Sequence, residues 1–126
     1  MISTKTILLV DDDYVSNYLT ERQIKKSGIA DSVKTVRNGE EALTYLAEPA
    51  NKKPDLILLD INMPEMDGLE FLKHFKHMTL EHNIRIVLVT AALNPEKKNK
   101  INTLGYTEII EKPFTLTKLN HYLVTS

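Results

Sequence analysis

Residues 6–13 read Thr6-Ile7-Leu8-Leu9-Val10-Asp11-Asp12-Asp13, a continuous apolar run that breaks off into three consecutive aspartates. A run without polar alternation fits a strand covered on both faces, as in a parallel sheet. The rest of the chain repeats the plan. Val33–Val36 is a short β-branched stretch, Leu56–Leu59 ends at Asp60, Ile86–Val89 ends at Thr90, and Ile109-Ile110 ends at Glu111 and Lys112. The intervening stretches predict helices. Val15–Ser27 stops at Gly28, Glu40–Ala47 follows Asn38-Gly39 and ends before Pro49, and Pro95–Leu104 starts on a proline suited to a first helical position and stops at Gly105. Leu69–Met78 puts Leu69, Leu72, Phe75 and, more loosely, Phe71 on one apolar face, and Leu116–Val124 carries Leu116, Leu119, Tyr122 and Leu123. Strand and helix alternate five times. Right-handed crossovers between parallel strands turn that alternation into a (βα)5 three-layer α/β sandwich.

Composition narrows the function classes. The 126 residues make one domain, expected over 1–126, and 42% hydrophobic with 26% charged residues is the balance of a water-soluble globular protein. Sixteen Lys and Arg against seventeen Asp and Glu leave a net charge of −1, so no broad nucleic-acid-binding surface is expected. Cysteine is absent, which excludes thiol nucleophiles and Cys-ligated metals. No apolar run approaches the ~20 residues of a membrane span, and no signal-peptide stretch opens the chain; the expected location is the cytosol.

Open α/β sheets bind ligands outside the carboxyl ends of their strands. The residues that end the runs are therefore the candidates: Asp11, Asp12 and Asp13, then Asp60, Thr90 and Lys112. Were Asp11 or Asp12 within ~5 Å of Asp60, the repulsion would be roughly 3 kcal/mol at an effective dielectric near 20. A proton or cation must relieve it, and all-oxygen ligands suit a hard divalent ion, Mg²⁺ above all. An N-cap on the first helix accounts for one aspartate of the three, Asp12 or Asp13. Asp60 suits a nucleophile that forms an aspartyl-phosphate, with the metal, the Lys112 ammonium and the Thr90 hydroxyl on the phosphoryl oxygens. Ala91 and Ala92 leave room beside Thr90.

Leu8-Leu9-Val10-Asp11-Asp12-Asp13, Leu58-Leu59-Asp60-Ile61-Asn62-Met63-Pro64-Glu65-Met66-Asp67-Gly68, Val87-Leu88-Val89-Thr90-Ala91 and Glu111-Lys112-Pro113-Phe114 together resemble the receiver domain of two-component response regulators. The resemblance covers about residues 5–124 and implies a flavodoxin-like sheet in the order 2-1-3-4-5. It implies that Asp60 accepts a phosphoryl group from a histidine kinase, that Asp12 ligates Mg²⁺ with Asp11 close by, and that Asn62 lends its backbone carbonyl. Thr90 and Lys112 would hold the phosphoryl oxygens, Lys112–Pro113 would be cis, and Asp67 would cap the third helix. Many receivers carry an aromatic residue three positions before the lysine. Here it is Ile109, and Tyr106 is out of register.

The resemblance implies a signalling switch rather than a turnover enzyme. Its partners would be a sensor histidine kinase or a histidine phosphotransfer protein, with output by protein contact over the 95–124 face, as a monomer or weak dimer. A phosphorelay intermediate, or one domain of a larger regulator or hybrid kinase, is the alternative. The first run begins within six residues of Met1, as at a natural N-terminus, whereas the C-terminus stops two residues past the last predicted helix. A haloacid-dehalogenase-type phosphatase is the remote alternative, since Asp11-x-Asp13 matches its opening motif but no late acidic pair follows. His74 and His77 read as a solvated helix side, and so do Lys97-Lys98-Asn99-Lys100.

Overall fold

The computed structural model describes residues 6–61, 68–78, 84–91, 94–106, 108–112, 115 and 117–119. Among these residues five strands alternate with four complete helices: β1 (Thr6–Val10), α1 (Tyr14–Ser27), β2 (Ser32–Val36), α2 (Gly39–Ala47), β3 (Leu56–Asp60), α3 (Gly68–Lys76), β4 (Arg85–Thr90), α4 (Pro95–Thr103) and β5 (Ile109–Glu111). All strand pairs are parallel and the order is β2-β1-β3-β4-β5, the arrangement the resemblance implies. Residues 117–119 are helical; the rest of the predicted last helix lies outside the described residues.

The continuous apolar runs are explained by the two faces of the sheet, since successive strand side chains point to opposite sides. Leu8, Val10, Ile57, Leu59, Ile86 and Leu88 join Ala42 and Leu46 of α2, Phe71 and Leu72 of α3 and Ile101 of α4 in one core. Ile7, Leu9, Leu56, Leu58, Val87 and Ile110 join Ile24 of α1 and Leu119 in the other. Burying one such aliphatic side chain contributes roughly 1.5–3 kcal/mol. β2 departs from the expectation of strands covered on both faces. It is an edge strand, and its residues run exposed, half-buried, exposed, half-buried, buried from Ser32 to Val36. Lys34 is therefore tolerated in mid-strand.

Caps set the helix ends. Oδ1 of Asp13 accepts from the N–H groups of Val15 and Ser16 at 3.1 and 3.3 Å, so α1 begins at Tyr14 rather than Val15, and Gly28 closes it at φ 75°. Asn38 caps α2 and Asn94 caps α4, each through a 2.8 Å bond from the backbone three residues on. α3 ends at Lys76 rather than Met78, and its buried centre is Phe71 and Leu72, with Leu69 and Phe75 only partly buried. All four residues of the predicted face pack on the same core, with its centre shifted toward Phe71. Phe71 and Phe75 stack with their rings 5.6 Å apart, which brings both onto the core side.

Register is what assembles a site. Val10 pairs with Leu59, Asp60 with Val89 and Thr90 with Glu111. Asp11 consequently stands level with Asp60, and Thr90 and Lys112 each lie one step further along the adjacent strands. At the opposite ends of β4 and β5 the Arg85 guanidinium donates to both carboxylate oxygens of Glu108, tying the start of β4 to the residue before β5.

Candidate functional site

One carboxylate oxygen each from Asp11, Asp12 and Asp60 lies within 4.8 Å of the others. At that separation each pair repels by roughly 3 kcal/mol at an effective dielectric of 20. Asp11 and Asp60 are buried and Asp12 is exposed. Lys112 reaches in from the end of β5. Its ammonium donates to Asp11 Oδ2 at 3.1 Å and to Asp60 Oδ2 at 3.5 Å. Burial pulls the Lys112 ammonium down, but Asp11 and then Asp60 outweigh it, and the group is held above the ordinary lysine value. Three carboxylates against this one ammonium leave the rim net negative. Among the described residues this is the group of acidic side chains whose all-oxygen donors suit a hard divalent cation.

The backbone around the rim is equally constrained. Asp11 donates its N–H to Val36 at 3.2 Å, and its Oδ1 accepts from the Asp13 N–H at 2.9 Å. Ile61 donates to Val89 at 3.1 Å, continuing the ladder past Asp60. Lys112 donates its N–H to the Thr90 carbonyl at 2.7 Å, so residues 90 and 112 are joined through the backbone at the rim. Thr90 is fully buried. Gly68 opens α3 directly against this segment. A Cβ there would meet the Ile61 Cα at 2.5 Å and the Asp60 carbonyl at 3.0 Å, so only glycine lets the helix approach so closely.

Asp11, Asp12, Asp60 and Lys112 are thus brought together, with Thr90 on the adjoining strand end. Asn62, Met63, Pro64, Asp67, Ala92 and Pro113 lie outside the described residues. Asp13 caps α1 rather than joining the acidic cluster. Asn17 was not anticipated. Its side-chain amide donates to the Asp11 carbonyl at 2.7 Å from within α1, and with Thr20 it lines a cavity of about 20 Å³ under Asp11, Asp60 and Lys112. The spacing Asn17, Thr20, Ile24 was the available signal: it is one helical face, buried throughout. His74 on α3 and His77 just past its end are exposed, and on α4 Lys98, Asn99 and Lys100 are exposed, with Lys100 paired to Glu96 at 3.3 Å.

The family model of the response regulator receiver domain matches residues 7–124. The chain is 34% identical over 117 residues to two-component response regulator 24 of Arabidopsis thaliana, covering 93% of this chain and 80% of that protein. It is 33% identical over 113 residues to sporulation initiation phosphotransferase F of Bacillus subtilis, covering 90% and 86%. A two-component response regulator structure from Cytophaga hutchinsonii superposes with a TM-score of 0.85 at 28% identity, over 98% of this chain and 97% of that one.

Proposed function

This chain belongs to the response regulator receiver domain family of two-component signalling, and on that premise we propose that it is a signalling switch that accepts a phosphoryl group on Asp60. The observation that carries the reading is the convergence of the Asp11, Asp12 and Asp60 carboxylates with Lys112 bonded to two of them. The donor set fits Mg²⁺: Asp11, Asp12 and Asp60 would hold it, joined by the Asn62 carbonyl, and when bound it neutralises phosphoryl oxygens. An Asp60 oxygen attacks phosphorus of a phosphohistidine. The P–N bond breaks, its electron pair leaves with the imidazole nitrogen, and an acyl phosphate remains on Asp60. The Lys112 ammonium moves its bonds from the Asp60 carboxylate to a phosphoryl oxygen, and Thr90 donates its hydroxyl to another. Water later cleaves the acyl phosphate slowly, so the chain is a switch and not a turnover enzyme.

The donor is a sensor histidine kinase or a histidine phosphotransfer protein in the cytosol. Output passes through protein contacts on the 95–124 face, because Lys112 and Thr90 join the modified rim to β5 and to the segment leading into α4. Likeness to the Bacillus subtilis phosphotransferase favours a second reading of the same chemistry, in which the group is passed on to another histidine. Incubation with Mg²⁺ and acetyl phosphate tests the proposal. One hydroxylamine-labile phosphate should appear on the protein and be lost in Asp60→Asn. Labelling that survives in Asp60→Asn, or none in the wild type, refutes it. Transfer from the labelled protein to a histidine phosphotransfer domain separates the second reading from the first.

A further inference from the structure

Every polar group of Asp11 is held by a different part of the molecule. Its N–H goes to β2 at Val36, its Oδ1 to the N–H of Asp13, its Oδ2 to Lys112, and its carbonyl to the side chain of Asn17. The last of these bonds differs from the others in origin. It comes from a buried amide, Asn17 being 8% exposed, placed in the first turns of α1 where a helix facing a core would ordinarily carry an apolar residue. Buried carbonyls are kept satisfied, and one deprived of its donor reorients to find another. The carbonyl in question belongs to the peptide plane between Asp11 and Asp12. Rotating that plane moves the backbone that carries both carboxylates. The cavity of about 20 Å³ beneath, bordered by Asn17, Thr20, Asp11, Asp60 and Lys112, is large enough for a water molecule, so a released carbonyl would have somewhere to turn.

We propose that Asn17 is a positioning residue for the cation site: by holding the Asp11–Asp12 peptide it sets the spacing of two carboxylates that would bind Mg²⁺, and it does so without touching the ion. The inference rests on the metal reading of the preceding section. Outer partners of metal-binding groups commonly change affinity by about 10- to 100-fold when removed. Asn17→Leu keeps the branched shape and heavy-atom count of the side chain and removes the donor, and Asn17→Ala serves if the bulkier leucine variant does not fold. Ile24→Val, further along the same buried face, loosens α1 without touching the amide.

The measurement is Mg²⁺ affinity by calorimetry without any phosphodonor, alongside denaturant stability in chelator. The expected result is about a ten-fold weaker Mg²⁺ affinity in Asn17→Leu or Asn17→Ala, with Ile24→Val at the wild-type value. An Asn17 role in packing alone would shift stability in chelator and leave the affinity unchanged, and that outcome overturns the proposal while sparing the parent reading. Equal weakening in Ile24→Val also overturns it, since any loosening of α1 would then suffice. A wild-type protein that binds no Mg²⁺ overturns the parent reading and this one with it.

Discussion

α1 and α3 lie on opposite faces of the sheet, and they are built inside out relative to each other. α3 buries Phe71 and Leu72 completely and turns Lys73, His74 and Lys76 outward. α1 buries Asn17 and Thr20 over its first turns and reaches an apolar contact at Ile24, while Tyr14, Val15, Tyr18 and Leu19 stand exposed, Tyr14 at 81%. The Arg22 guanidinium lies over the Tyr18 ring at 5.9 Å, a contact at the surface. The difference follows from what each helix covers. α3 packs on aliphatic side chains, where burial of apolar area is the stabilising term. The start of α1 covers the acidic rim, where a carbonyl and buried carboxylates call for donors, and an apolar face there would leave them without partners. The fold therefore holds α1 by its caps and its far end, and spends its near end on the site.

The steepest loss of stability is expected at α3. Phe71→Ala should cost about 3–5 kcal/mol by chemical denaturation, because the ring is fully buried and the cavity cannot close. A loss under about 1 kcal/mol would show that α3 is not the apolar anchor. Gly68→Ala comes next, at about 1–3 kcal/mol, since the new methyl must displace the backbone at Ile61. Its labelling by acetyl phosphate should slow as well, because the displaced backbone carries Asp60. On α1 the cap contributes through two backbone donors: Asp13→Ala should lose about 1 kcal/mol. Truncating the exposed side chains, Tyr18→Ala and Leu19→Ala, should change stability by no more than about 0.5 kcal/mol, and larger losses would mean that the outer face of α1 packs in the folded monomer.

The smallest effect uses a tyrosine placed unlike those on α1. Tyr106 is half-buried against the core that α3 shares, and burial raises its phenol above the usual 10.0. The folded state then keeps a proton that the unfolded chain gives up. Its contribution to stability is complete below pH 10 and is lost as the pH rises through the folded value. Denaturation midpoints followed across that range should fall less steeply in Tyr106→Phe than in the wild type.

Much of the fold was legible because a strand covered on both faces leaves a continuous apolar run, and β1, β3 and β4 do so. β2 was found despite lying on the edge, where Ser32 and Lys34 face water and the run shrinks to its β-branched members. Helix ends marked by Gly28 and by Pro95 were readable from backbone chemistry. On α3 the periodicity located the apolar face, and packing decided that Phe71 and Leu72, rather than Leu69 and Phe75, are its fully enclosed members. The candidate site divides in the same manner. Asp11, Asp12, Asp60, Thr90 and Lys112 stood out as polar ends of apolar runs. Asn17 did not: its spacing with Thr20 and Ile24 marks a buried helical face, but the carbonyl it serves is identified only when Asp11 is placed beside it.

Residue order alone settled the number of strands, their parallel sense and the end of the strands at which charge would gather, because apolar runs, stop residues and alternation are local properties. Which oxygen meets which nitrogen was decided by tertiary structure. Lys112 and Asp11 are joined across the width of the sheet by register, and that register exists only once five strands have paired and two cores have closed around them.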